Sequence, residues 1–294
     1  MIVSFNTREK LKKCLQCIEP VHETIVVDNA SIDGSAEMVR REFPQVKLVV
    51  NSTNCGFGPA NNQGCRHATG DKVLFLNSDA YADPGAISLL AEAFDDASIV
   101  AAGGMLLNPD RSLQQSTANE LTLWAVLCEQ TYLEKIFPRS SVFSPYWTTI
   151  QLAAKDSVSR TPQVMGACLM VRAIAGRPVE EFDERYFLYC EDTDLCKRLA
   201  QHGPIIYVPD AKFVHDLGSS SAKDPAVGII RYNRGKELYF RIHHGALASS
   251  LCLILDRLGA LLRLFAWMAK FVLSGFRSQR SRTQVSAFWR VLRG

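Results

Sequence analysis

Apolar and polar positions alternate in blocks through the first hundred residues. "IVSF" reads as a strand, and "MIVSFN" has the look of the second half of one. An amphipathic stretch around Leu11, Leu15 and Ile18 follows, then the strand-like "ETIVVDN", a helical "GSAEMVRREF" and the strand-like "VKLVV". A Gly-rich turn leads into "PANNQGCRHA", and "DKVLFLN" makes a fourth strand. "DPGAISLLAEAFDD" predicts a helix with Asp83 as its cap and Pro84 at its first position. Continuous apolar strands alternating with helices predict an α/β fold with a mostly parallel sheet flanked by helices. Such sheets bind ligands at the carboxyl ends of their strands, where Asp28, Asn54 and Asp79 fall.

From about Arg111 to Thr161 no period is clear, and aromatics stand at Trp124, Tyr132, Tyr146 and Trp147. This stretch reads as a variable, substrate-facing insertion. Order returns with "VMGACLMV", "FDERYFLYCEDTDLCKRLAQHG" and "IIYVPDAKFVH". Beyond residue 221 the chain reads as a helical, amphipathic extension, which sets two domains at 1–221 and 222–294. Between Leu247 and Phe276 it is rich in Leu, Phe, Trp and Ala, yet no uncharged run reaches bilayer-spanning length. Asp256, Arg263, Lys270 and Arg277 recur every seven residues as one drifting polar stripe. An apolar helix with such a stripe and basic flanks is expected to lie in a membrane interface. A helix packed on the first domain, or a coiled coil, is the alternative.

Composition sharpens this picture at one point. At 47% apolar and 21% charged the 294 residues are ordinary globular material. The net charge of +3 hides an asymmetry: 8 of the 33 Lys/Arg lie from Arg257 onward, where there is no acid, leaving 25 against 30 acids before it. A wholly basic tail on a mildly acidic body is expected to meet an anionic surface. Its Leu-rich amphipathicity favours lipid over nucleic acid. The 9 cysteines are scattered, and Cys14 and Cys17 form a lone CxxC without the second pair of a zinc site. With no signal-peptide pattern before the first strand, a reducing, cytosolic setting is expected.

Four stretches can carry chemistry. Asp28 closes a strand and opens "DNASIDGS"; it either caps local turns or accepts an N–H from a nucleobase edge. "NCGFGPANNQG" supplies Gly56 and Gly58 but has Asn61 where a dinucleotide finger needs a third glycine, so a tight turn or close backbone approach to a ligand is expected instead. "NSDA" places Asn77 and Asp79 at a strand end, where one carboxylate can turn the chain or hold a hard divalent cation with phosphate oxygens and water. In "CEDTDLCKRLA" a helix would put Asp192 on one face with Leu195, Cys196 and Leu199. Glu191 and Asp194 would then point elsewhere, Asp194 toward a surface pair with Arg198. Asp192 is thus either a partnered structural acid or a general base. His215 ends another strand before "GSSS", as a structural residue or a metal or phosphate contact. His243 and His244 are read as surface residues.

In this order, "IVSFN", "VVDNASIDGS", "NCGFGPANNQG", "GDKVLFLNSDA", "GACLMVR", "FDERYFLYCEDTDLCKR" and "VHDLGSSS" resemble the inverting glycosyltransferases of family 2, with the GT-A, Rossmann-like nucleotide-diphospho-sugar transferase fold. "FLYCEDTDLCKR" with "LNSDA" looks like the rhamnosyltransferase branch that extends bacterial surface polysaccharides. The resemblance implies a sugar donor held by Asn6, Asp28, Asn29, Asn54, Gly56, Asn61, Asn77 and Asp79, with Asp28 on the nucleobase. It implies Mg2+ or Mn2+ at Asp79, assisted by His215, with Asn77 standing where many relatives have a first aspartate. It makes Asp192 the base on the acceptor hydroxyl, with Gly166 and Glu191 on the acceptor side.

The resulting expectation is transfer of a sugar, rhamnose first, from a dTDP- or UDP-linked donor to a lipid-linked or polysaccharide acceptor. The place expected is the cytoplasmic face of the cell membrane, with the C-terminal helix on the lipid surface and no nucleic-acid partner. A non-catalytic sugar-nucleotide or glycan-binding protein on the same fold is one alternative. A nucleotidyltransferase is another, although "SFNTREK" lacks the glycines of its usual first loop.

Overall fold

The computed structural model describes residues 1–19, 23–173, 179–216 and 224–294. The Gly-Ser turn after His215 and the expected boundary at 221 lie outside the described residues. The chain divides into two compact units, Met1–Glu120 with Trp147–Ser220, and Leu121–Tyr146 with Ser221–Gly294. Residues 121–146 therefore group with the C-terminal segment, whereas the sequence reading had kept them in the first domain.

The first unit opens as a strand–helix alternation: β1 (Ile2–Ser4), α1 (Arg8–Gln16), β2 (Ile25–Asp28), α2 (Ser35–Glu42), β3 (Lys47–Val50), α3 (Phe57–Cys65) and β4 (Lys72–Asn77). Short β5 (Ala80–Ala82), α4 (Ala86–Glu92) and β6 (Ala101–Leu107) follow. Strands β3, β2, β1 and β4 are parallel neighbours, as the apolar runs predict. Helix α4 begins later than expected, after Gly85 in a left-handed conformation, and Asp83 is no cap but pairs with Arg111 at 2.7 Å.

Next come β7 (Thr117–Ala118), then α5 (Leu123–Gln130) and α6 (Leu133–Ile136) of the second unit, and α7 (Thr149–Ala153). They are followed by β8 (Ser159–Arg160), β9 (Gln163–Val164), β10 (Cys168–Arg172), α8 (Glu191–Leu199) and β11 (Ile205–His215). Strand β10 inserts antiparallel between β4 and β6, so the second half of the sheet is mixed and the order reads β3-β2-β1-β4-β10-β6-β11-β5. Successive residues of β4 and β10 point to opposite faces. Leu76, Cys168 and Met170 join α1, α2 and α4 on one face. Val73, Phe75, Leu169 and Val171 join Phe182 and α8 on the other. Both faces are covered, and truncating a fully buried side chain such as Phe75 to Ala would cost about 3–5 kcal/mol.

In the second unit, α9 (Pro225–Leu273) starts with Asp224 accepting the Ala226 N–H and Pro225 in its first turn. Gly245 breaks it with φ 84° and ψ 176°, making two arms, 225–244 and 246–273. The arms are fastened by Lys236 Nζ on Asp256 Oδ1 at 2.6 Å and by Ser249 Oγ donating to the Glu237 carbonyl. Helix α10 (Gln279–Arg293) packs Ala287, Phe288 and Val291 against Ala226, Ala260 and Leu264.

Only the first part of the polar stripe of α9, Asp256 and Arg263, turns inward, whereas Lys270 is exposed. Asp256 turns inward to Lys236 and to the Gln130 side-chain amide, and Arg263 donates to the Gln130 carbonyl and to its Oε1. Arg277 lies past the helix end. The outward side of the second arm carries Leu247, Leu251, Ile254, Leu258, Phe265 and Met268, all exposed. By length and composition α9 is long and apolar enough to cross a membrane. Its inward charges and the break at Gly245 set it apart from a helix apolar all round.

Candidate active site

The carboxyl ends of β1, β2 and β4 bring the donor-side candidates together. Asp28 is buried; its Oδ2 accepts the Ser31 N–H at 2.9 Å, while its Oδ1 has no hydrogen-bond partner. It thus serves the local turn and still offers a buried acceptor. Asn6 adopts φ 55°, accepts the Ile32 N–H on Oδ1 and donates its own N–H to Ser31 Oγ, fixing the loop over that acid.

The asparagines behind it form a knot. Asn29 Nδ2 donates to Asn54 Oδ1 and to the Gly56 carbonyl, both at 2.9 Å, and Asn29 Oδ1 accepts from Asn51 and from the Cys55 N–H. Asn61 is buried and donates to the Phe57 carbonyl. These residues shape the Gly56 turn. Gly56 itself has φ 99°, and a Cβ there would lie 2.6 Å from the Phe187 carbonyl oxygen. The close approach foreseen at this glycine is to protein backbone, since the Phe57 N–H donates to Phe187 O at 2.9 Å. Asn62, which the sequence reading passed over, grips the Phe182 backbone through both ends of its amide.

Asp79 lies just beyond β4 and is buried. Its Oδ1 is 3.3 Å from His215 Nε2, and Asn77 Nδ2 is 3.3 Å from the same nitrogen. Adjacent ligand atoms on a six-coordinate ion with bonds of about 2.1 Å lie about 3 Å apart, so this pair fits two neighbouring positions of such an ion. Among the described residues no three His, Cys, Asp or Glu side chains gather closely enough to hold a metal. The protein would therefore supply two ligands, Asp79 and His215, and leave the rest to phosphate oxygens and water. Lys10, unrecognised from sequence, stands 4.0 Å from Asp79 Oδ2 and pairs with Asp216 at 2.9 Å.

The acid-bearing helix joins this group through β10. Leu76 pairs with Cys168, and the Asn77 N–H donates to the Ala167 carbonyl. One residue earlier, the Gly166 N–H donates to Asp192 Oδ2 at 2.9 Å. Asp192 Oδ1 accepts the Thr193 N–H at 2.8 Å. Burial pushes the Asp192 carboxyl above the usual range, while those two N–H groups pull it back. Asp192 is half-buried; Glu191 and Asp194 are the buried members of the trio, contrary to the helical-wheel reading. Asp194 makes the expected pair with Arg198, at 2.9 Å, but from a buried position. The Glu191 carboxyl is pushed up to about 8 by burial and then by the neighbouring Asp192 charge, and its Oε2 has no hydrogen-bond partner. The two consecutive left-handed residues Tyr189 and Cys190 set the helix start that presents these acids.

Cys14 is buried, and Cys14 and Cys17 are not joined by a disulfide. His243 and His244 stack against Tyr239 in the second unit.

The family described as glycosyl transferase family 2 matches residues 1–150. The chain is 29% identical over 235 residues, 75% of each protein, to an N-acetylglucosaminyl-diphospho-decaprenol L-rhamnosyltransferase of Mycobacterium tuberculosis. Among solved structures, the mannosyltransferase PcManGT from Pyrobaculum calidifontis, in complex with GDP-Man and Mn2+, superposes with a TM-score of 0.55 at 16% identity, covering 99% of this chain and 83% of that one. S. aureus TarS 1-349 gives 0.52 at 16% identity, covering 99% and 79%. A mixed sheet flanked by helices, the GT-A neighbours and the match across the first 150 residues lead to one placement: the chain is a member of glycosyltransferase family 2.

Proposed function

We propose that this glycosyltransferase moves a sugar, L-rhamnose first among the candidates, from a dTDP- or UDP-linked donor to a hydroxyl of a lipid-linked or glycan acceptor, with inversion at the anomeric carbon. The observation that carries the reading is the hydrogen bond from Gly166 to Asp192, in register with the β4 end that bears Asp79. It is supported by the relative whose name specifies rhamnosyl transfer to a decaprenol-linked N-acetylglucosamine.

In this mechanism the acceptor hydroxyl loses its proton to the Asp192 carboxylate as its oxygen bonds to the anomeric carbon. The bond from that carbon to the diphosphate oxygen breaks on the opposite face, and its electron pair leaves with the nucleoside diphosphate. General-base assistance of this kind is worth about 10²–10⁴ in rate. Mg2+ or Mn2+ bound at Asp79 and His215 would supply the positive charge that the departing diphosphate needs. Asp28 Oδ1 would accept the base N–H, and the knot around Asn29, Asn54, Gly56 and Asn61 would hold the turn beside the donor. Glu191 and Gly166 would border the acceptor.

The outward apolar side of α9, with the acid-free basic sequence from Arg257 onward, supports a peripheral place on an anionic membrane surface, the cytoplasmic face. The decisive assay supplies a polyprenyl-diphosphate-linked N-acetylglucosamine and compares dTDP-rhamnose with UDP-hexoses. Formation of a disaccharide of inverted anomeric configuration from dTDP-rhamnose is expected. Nucleotide binding without any transfer across the donor panel would establish a non-catalytic binder instead.

A further inference from the structure

His215 is buried, and its Nδ1 lies 2.7 Å from the side-chain oxygen of Gln114. The direction of the Gln114 amide is set by two other contacts. Its Nε2 donates to the His215 carbonyl at 3.0 Å and to Asn108 Oδ1 at 2.9 Å. Asn108 in turn donates through Nδ2 to Ser112 Oγ at 2.9 Å, which leaves its Oδ1 as the acceptor end. The Gln114 backbone is tied down as well, its N–H donating to the Leu106 carbonyl at the end of β6. An amide held this way presents only an acceptor to Nδ1, so Nδ1 carries a proton. Nε2 is then the nitrogen that faces Asp79 Oδ1, with the Asn77 amide also 3.3 Å from it.

We infer that Gln114, oriented by Asn108, is a positioning residue that holds a proton of His215 on Nδ1 and turns Nε2 toward Asp79, as the nitrogen left to share a cation with that carboxylate. The inference rests on the reading of Asp79 and His215 as the divalent-cation pair. An imidazole ligates through an unprotonated nitrogen, and a partner on its other nitrogen fixes tautomer and ring direction. Gln114 grips the same residue twice, at ring and carbonyl, so it sets where the ring stands as well as which nitrogen is turned to Asp79.

The test uses the full chain labelled with ¹⁵N-histidine and kept metal-free. Two-bond ¹H–¹⁵N correlation spectra, with His215 assigned by its loss in H215A, should show a proton on Nδ1. Q114E keeps an acceptor opposite Nδ1 and should preserve that pattern, whereas Q114L should shift the proton to Nε2 or mix the two forms. Calorimetric titration with Mn2+ should find Q114L weaker by about 10–100-fold. A wild-type ring with no proton on Nδ1 overturns the inference without any variant. So does a Q114L protein whose tautomer and Mn2+ affinity both match wild type. If D79N and H215A bind Mn2+ as tightly as wild type, the cation reading itself fails, separately from the tautomer result.

Discussion

The main-chain nitrogen of Gly166 holds Asp192 Oδ2 at 2.9 Å, and the two residues approach so closely that a Cβ on Gly166 would stand 3.1 Å from the Asp192 Cβ. A glycine at this point is thus part of how the acid is aimed. Adding one methyl group in G166A should push the Asp192 side chain aside by a few tenths of an ångström. A misplacement of about 1 Å costs about 10²-fold in rate, so a loss smaller than that is expected. Steady-state kinetics should show kcat falling while nucleotide affinity, measured calorimetrically, stays near wild type.

Replacing the acid itself separates chemistry from binding. D192N keeps an acceptor oxygen for the Gly166 N–H but cannot take a proton at neutral pH. Turnover should fall by about 10²–10⁴ with donor affinity retained. If donor affinity collapsed together with turnover, Asp192 would be a structural residue.

Glu191 makes stability depend on pH. Its carboxyl is raised from 4.5 to about 8 in the folded chain, so the folded state binds a proton that the unfolded state has released. The stabilisation is full below 4.5 and is lost as pH rises through about 8. Melting temperatures should therefore decline across that window for wild type. E191Q, which cannot ionise, should show a flatter profile, and identical slopes for the two proteins would refute the raised value.

The outward side of α9 should decide membrane attachment. L251E, I254E and F265E together place charges on exposed positions without touching the inward Lys236–Asp256 contact. Flotation with vesicles containing anionic lipid should drop to near background while the melting temperature holds. Flotation equal to wild type would remove this face as the anchor.

Lys236 and Asp256 are both buried, with Glu129 3.5 Å from the same ammonium. Removing one partner of a buried pair leaves a charge uncompensated and typically costs about 3–5 kcal/mol. K236M should lower the denaturation midpoint accordingly, and K236M/D256L should recover part of the loss. A single variant as stable as wild type would mean the pair is solvated.

Much of the fold was legible because the parallel half obeys local rules. The apolar runs of β1 to β4 and the helical spacing of Leu11 and Leu15 follow directly from which faces are buried. The acids at strand ends were legible for the same reason, since the end of a buried run is visible in the sequence. Three features were not. Asn29 was read as a donor contact, yet its amide lies within a knot that long-range contacts create. Gln114 had no local signal, because its partner His215 lies on a strand far along the chain. The stripe containing Asp256 and Arg263 was visible as a period, but a period does not tell which side meets protein. Only the contacts with Lys236 and Gln130 reveal that Asp256 and Arg263 face inward.

The Phe187 carbonyl accepts the Phe57 N–H and comes so close to Gly56 that no side chain would fit there. The glycine turn belongs to the first half of the sheet unit, and Phe187 leads into α8, the helix with Asp192. One main-chain hydrogen bond thus joins the Gly56 turn to the segment that leads into α8. A side chain at position 56 would collide with the Phe187 carbonyl, so this glycine is what lets the asparagine knot and the acid-bearing segment meet.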